Sequence, residues 1–394
     1  MAILLILTQL LWILRFKDYK SGFVFVLSAI IAGIAFTSIL LQFFGIFKFT
    51  YLFSIYLLIA GLTLILNCSA LKAFIQSKKA SKVNFAPLFF IASIFVIGLQ
   101  FYFVHFDYTG KISTYSGIYS VDNFSAGHPY FSDEWIAVGM SEKVIETGKL
   151  PFINFFNDKY FENFLFVFHS LISGIDLLFD LNLLISYQTI SIVFSLILLI
   201  FIYILLKSYN ISTGVSILVL FLISYLPNSS NLPLLWNLLP WNVGFMFFIA
   251  YLVSVQNKQF YISILLNVFS IIFYPPIILL SIPSFIFAII KHAKSEKLKI
   301  LSIYFGIILF GLISAILFIS FSNGVYFTKV FNTIYDFIFR NLNSVLDTPP
   351  LFIVWRVVPW FAVPFGFWAL WKKRRVFPEI TLPTLIGLIL WFLY

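Results

Sequence analysis

Between Ser21 and Phe47 this chain runs for more than two dozen residues without a single charge, and Leu181 to Leu206 repeats the pattern. Runs of that length match the roughly 20 residues a helix needs to cross a hydrocarbon core. In lipid an unpaired backbone N–H or C=O costs several kcal/mol, so only helices or closed barrels satisfy such a chain. The runs are continuous rather than alternating, which selects helices. With 61% hydrophobic and 10% charged residues over 394 positions, and a mean hydropathy of +1.03, most of the surface is suited to lipid.

The periodicity predicts helices near 2–14, 22–45, 51–71, 86–106, 161–180, 183–206, 213–226, 241–256, 259–290, 299–322, 351–371 and 378–394. The expected fold class is therefore an all-α polytopic transmembrane bundle of about 10–12 helices, with one long extracytoplasmic loop carrying a juxtamembrane helix. With neither internal repeat nor low-complexity linker, 1–394 reads as a single integral membrane domain. Within it, 1–85 supplies extra N-terminal helices, 107–160 the first large extracytoplasmic loop and 323–350 a second extracytoplasmic segment. The run from Ala2 to Leu14 lacks a basic segment before it and a small-residue cleavage site after it. It predicts a short first helix rather than a cleaved leader.

The net charge of +10 reports topology. Most basic residues sit in four short clusters between apolar runs: Arg15, Lys17 and Lys20; Lys72, Lys78, Lys79 and Lys82; Lys291, Lys294, Lys297 and Lys299; and Lys372 to Arg375. Cytoplasmic loops of membrane proteins are enriched in Lys and Arg in this way, so no nucleic-acid partner is called for. On that rule the chain is a multipass cell-membrane protein and the loop after helix 86–106 is extracytoplasmic. Lys207 and Lys258 also prefer the cytoplasmic side, which would make 161–180 a non-crossing or re-entrant element, and the parity of 161–290 stays open. Pro275-Pro276 makes 259–290 one broken helix or two short ones.

More than half of the 15 acidic residues gather between Asp107 and Glu162. A solvated loop accounts for any one of them, but Ser132-Asp133-Glu134 opens a helical pattern. Ser132 suits an N-cap, the two acids complement the positive end of the helix dipole, and Gly148 followed by Pro151 ends the element. Ile136, Met140 and Val144, with Trp135 and Ile145 beside them, form an apolar stripe expected to lie on the membrane surface. Asp133 would then sit near the headgroup layer, where a carboxylate can take a proton from an attacking hydroxyl.

Asp133-Glu134 in the first large loop, the helix ending Glu146-Thr147-Gly148-Lys149-Leu150-Pro151, and the Asn154 to Asp158 segment together resemble the GT-C glycosyltransferase superfamily. That superfamily includes protein mannosyltransferases, aminoarabinose transferases and oligosaccharyltransferase catalytic subunits. Leu234-Leu235-Trp236-Asn237-Leu238-Leu239-Pro240-Trp241-Asn242 is similar to its outside Leu-Leu-Pro turn, and Phe273-Tyr274-Pro275-Pro276 also resembles it. The resemblance implies Asp133 as catalytic base with Glu134 as the second catalytic acid. It further implies a polyprenyl-phosphate-linked sugar as donor and a glycan, lipid or protein as acceptor.

Charge develops on the departing phosphate in such a transfer, so cations are needed beside it. Arg356, inside an apolar run, Arg340, Lys329 and Lys159 are the candidates; His128, Asp158 and Glu162 are expected to bind acceptor or support the site. No cofactor is indicated, and His128 beside the acidic pair matches no strong metal spacing. His169 is expected to pack within a helix. The single cysteine, Cys68, forms no intrachain disulfide. Other readings are a transporter or flippase for a lipid-linked saccharide, for which Pro275-Pro276, Asp176 and Asp180 speak, an O-antigen polymerase-like enzyme, and a non-catalytic assembly subunit.

Overall fold

The computed structural model describes residues 1–77, 86–106, 108–114, 117–124, 132–150, 153–154, 159–160, 165–224, 238–293, 296–323, 332, 335 and 362–393. Helices dominate. They are α1 (Ala2–Gln9, continued by a 3-10 stretch Leu10–Arg15), α2 (Tyr19–Phe43), α3 (Phe49–Ser77), α4 (Ala86–Phe106), α5 (Ser132–Thr147), α6 (Phe166–Phe179) and α7 (Leu183–Ser208). There follow α8 (Thr213–Ser224), α9 (Pro240–Gln256), α10 (Phe260–Phe273), α11 (Ile278–His292), α12 (Lys297–Asn323), α13 (Ala362–Lys373) and α14 (Pro378–Leu393). Among the described residues five stretches are long and apolar enough to cross a membrane: Tyr19–Phe43, Phe49–Phe74, Leu183–Ser208, Pro275–His292 and Lys297–Ser314.

Helix boundaries follow local chemistry. The Asp18 carboxylate accepts from the backbone N–H groups of Lys20 (3.2 Å) and Ser21 (3.1 Å), capping α2. Asn182 Oδ1 does the same for Leu184 (3.1 Å) at the start of α7. Pro240 occupies the first turn of α9, where its missing N–H costs nothing. Tyr274-Pro275-Pro276 cannot continue a helix, and a 3-10 turn over Pro275–Ile277 replaces it. The expected 259–290 element is thus two helices folded back on each other. Asn267 Nδ2 donates to the Ser281 carbonyl (3.2 Å), and the hydroxyls of Ser270 and Ser281 lie 3.0 Å apart.

Hydrogen bonds between helix termini define two ends of the bundle. At one, Asn257 donates to Ser21 (2.7 Å), Gln256 to the Tyr209 hydroxyl (3.1 Å) and to Glu379 (2.8 Å), and Lys291 contacts Glu379 (3.4 Å). This end joins the starts of α2 and α14 to the ends of α7, α9 and α11. Lys20, Lys207, Lys258, Lys291 and the run Lys372 to Arg375 all lie at or within a few residues of those termini, so we call it the basic end. At the other, Tyr187 donates to the Leu238 carbonyl (2.6 Å) and Ser170 to Gln42 (2.9 Å).

Helix α6 packs against α2 from this second end. Its first turns meet Gln42, the last turn of α2, and its last residue is separated from α7 only by Asp180, Leu181 and Asn182. Fourteen residues rise about 21 Å, short of a core about 30 Å thick. The helix expected at 161–180 starts at Phe166. Close packing seats it: a Cβ added to Gly174 would come within 2.2 Å of the Ser38 hydroxyl on α2.

The helix-only expectation does not cover the loop. Strands β1 (Tyr108–Thr114) and β2 (Gly117–Phe124) pair antiparallel, Gly110 opposite Val121 and Thr114 opposite Gly117, with a register shift between Tyr108 and Gly110. Their Thr, Ile, Tyr and Val residues favour a pleated surface. Thr109 donates to Asp122 across the pair (3.0 Å), so this loop acid serves the hairpin. A shorter pair, β3 (Ile153–Asn154) with β4 (Lys159–Tyr160), follows α5.

Candidate active site on the loop helix

Helix α5 carries the acidic pair. It runs from Ser132 to Thr147 and ends where Gly148, at φ 65°, donates its N–H to the Val144 carbonyl (2.8 Å), the termination expected from the glycine. Its inner face differs from the expected stripe. Ala137, Val138, Met140, Ser141 and Val144 are buried, whereas Trp135 and Ile136 are 45% and 42% exposed.

The face turned inward packs on α6 and α7. Hydrogen bonds fix the seam: Ser141 donates to the His169 carbonyl (3.3 Å), and Ser173 to the Ser141 carbonyl (3.1 Å). Small residues at 137 and 141 let the backbones approach. Each larger apolar side chain withdrawn from water adds about 1.5–3 kcal/mol.

Glu134 lies on that buried face at 0% exposure, and Gln188 Nε2 of α7 donates to its Oε2 across 3.3 Å. A carboxylate in such surroundings is tolerable only with hydrogen-bond donors near it. The Glu134–Gln188 contact therefore ties the first turn of α5 to the start of a membrane-spanning helix. Asp133 occupies the same first turn; of Asp133 and of Lys159, in β4, only the backbone is described. His128, Asp158, Glu162, Lys329, Arg340 and Arg356 lie outside the described residues.

Gln188 was not singled out from sequence. Its signal is an uncharged polar side chain within the apolar run 181–206, easily passed over when only ionisable residues are sought. His169, expected as a packed residue, is buried beside Phe168, ring centroids 5.8 Å apart.

Acidic groups crowd the end of α6. Burial raises the Asp176 carboxyl to about 7, with the negative charges of Glu142 and Asp180 adding to the effect. Glu146, by contrast, pairs with Lys143 on the exposed face (2.7 Å), a contact worth little. Among the described residues no group of three His, Cys, Asp or Glu side chains is arranged to hold a metal ion.

No family model, curated protein or solved structure matches the chain.

A second buried polar cluster, also missed from sequence, lies at the basic end. The Glu379 carboxylate, fully buried, accepts from the Tyr209 hydroxyl (3.0 Å), from Gln256 (2.8 Å) and from Lys291 (3.4 Å). Ser284 donates to the Glu379 carbonyl, and the Tyr251 hydroxyl lies 3.1 Å from Ser284. Four helices meet on this one acid, which acts as a structural clasp.

Proposed function

We propose that the chain is a multipass cell-membrane glycosyltransferase of GT-C type. It transfers a sugar from a polyprenyl-phosphate-linked donor to an acceptor on the extracytoplasmic face. The observation that carries this reading is the fastening of α5, by Glu134 to Gln188, onto the bundle end remote from the basic clusters. Under the positive-inside rule that end faces away from the cytoplasm.

In this reaction Asp133 is the general base, taking the proton of the acceptor hydroxyl as its oxygen attacks the sugar's anomeric carbon. The bond from that carbon to the phosphate oxygen breaks, and the polyprenyl phosphate leaves with the electron pair. Arg356, Arg340, Lys329 and Lys159 are the cations proposed to receive the developing phosphate charge. Burial of Glu134 suits a positioning role: it holds the turn that carries Asp133, and preorganisation of this kind lowers the barrier without contact with the reacting atoms.

The test is transfer of labelled sugar from a panel of polyprenyl-phosphate donors, in membranes expressing wild type, Asp133→Asn or Arg356→Ala at matched levels. Transfer by wild type with at least ~100-fold loss in Asp133→Asn supports the reading, that being the lower range for a positioned base. Equal behaviour of all three across the panel sinks it and moves the transporter or flippase reading forward.

A further inference from the structure

We propose that the end of α13 and its turn into α14 form a docking surface for the headgroup of an anionic glycerophospholipid. The inference requires only a chain embedded in lipid and is independent of the reaction above.

Trp368 and Trp371, three residues apart on α13, are 59% and 52% exposed, and Gly366 and Ala369 beside them are exposed as well. Large exposed indoles at a helix end suit the boundary between acyl chains and headgroups. Each carries a cation on its ring. Lys372 Nζ lies 4.7 Å from the Trp368 centroid, and the Arg374 guanidinium lies 3.9 Å from that of Trp371. These contacts hold the charges at the level of the indoles rather than free in solvent.

The turn beyond is also fixed. Val376 and Phe377 both donate their N–H groups to the Lys373 carbonyl (2.9 Å each), Arg374 Nη1 donates to the Trp371 carbonyl (2.5 Å), and Lys291 of α11 donates to the Val376 carbonyl. Lys372, Lys373 and Arg375 are exposed, and among the described residues no acidic side chain pairs with them. Uncompensated positive charges beside two indoles, on a constrained turn, complement an anionic phosphate flanked by acyl chains. Soluble phosphate would use the cations but leave the indoles without purpose, so the lipid is favoured.

The experiment uses the full chain in phosphatidylcholine nanodiscs containing increasing brominated phosphatidylglycerol. Fluorescence of Trp368 and Trp371 is obtained by difference from Trp368→Phe/Trp371→Phe. Quenching in wild type should reach its midpoint at a lower mole fraction than with brominated phosphatidylcholine in phosphatidylglycerol. In Lys372→Gln/Lys373→Gln/Arg375→Gln that preference should fall at least about five-fold, the contribution of one surface cation. Lys297→Gln/Lys299→Gln, at the same end of the bundle, should keep it. Equal midpoints for the two brominated lipids in wild type would overturn the proposal, as would an unchanged preference in the triple variant. Loss of the preference on adding inorganic phosphate at matched ionic strength would assign the cations to free phosphate instead, and an equal loss in the Lys297/Lys299 variant would reduce the effect to overall charge.

Discussion

Gln188 of α7 donates a 3.3 Å hydrogen bond to the buried carboxylate of Glu134, joining the loop helix to a membrane-spanning helix. A bond to a charged group contributes about 1.5–3 kcal/mol, and its loss leaves the carboxylate desolvated. Gln188→Leu should therefore lower the thermal unfolding midpoint in detergent and slow sugar transfer further than the stability loss explains. Gln188→Glu, which sets two carboxylates together, should be worse than Gln188→Leu on both readouts. Transfer unchanged in both variants would show that the seating of α5 is irrelevant to catalysis.

Asp176 supplies a pH dependence. Its carboxyl is raised from an ordinary 3.8 to about 7, so the native state holds this proton more tightly than the unfolded chain. Stability from this group is greatest at low pH, falls as pH rises from about 4 to about 7, and is level above that. Asp176→Asn removes the titration. Measured between pH 5 and 8, its unfolding midpoint should vary less than that of wild type and exceed it at pH 8.

Glycine at 244 is required by packing. A Cβ there would lie 2.6 Å from the Tyr274 Cβ and 3.0 Å from the Ser270 carbonyl oxygen, so α9 would be driven from α10. Gly244→Ala should cost about 1–3 kcal/mol, as overpacking does. Gly61→Ala, with nothing within 4 Å of the added atom, is the control and should be neutral or slightly stabilising. Unfolding midpoints of the pair check this.

Removing Glu379 takes a shared acceptor from three donors at once. Glu379→Ala should destabilise by about 3–5 kcal/mol, the range for breaking a buried ion pair. Lys291→Ala should cost less, because the Lys291 side chain is 28% exposed against 0% for Glu379. A larger loss in Lys291→Ala would contradict the clasp centred on Glu379.

The two ends of the bundle should be labelled from opposite sides. In a Cys68→Ser background, cysteine is introduced at Trp135 on the exposed face of α5 and, separately, at Arg375. An impermeant maleimide applied to intact cells should label the first and not the second; labelling of both from one side refutes the topology.

Much of this protein is fixed by hydropathy and charge spacing along the chain. Apolar runs such as 21–47 form helices because lipid leaves the backbone no other way to satisfy its hydrogen bonds. The prolines at 275 and 276 and the glycine at 148 end helices through restrictions local to the backbone. Tertiary structure decided which side chains meet. The inward face of α5 could not be chosen from periodicity, because Ile136 and Ala137 are both apolar and the contact with α6 selects the smaller. Nor could the chain reveal that Glu134 would find Gln188, or Glu379 find Tyr209, Gln256 and Lys291. Partners 54 to 170 residues apart are joined by helix packing, and packing depends on shape in three dimensions that no local pattern encodes.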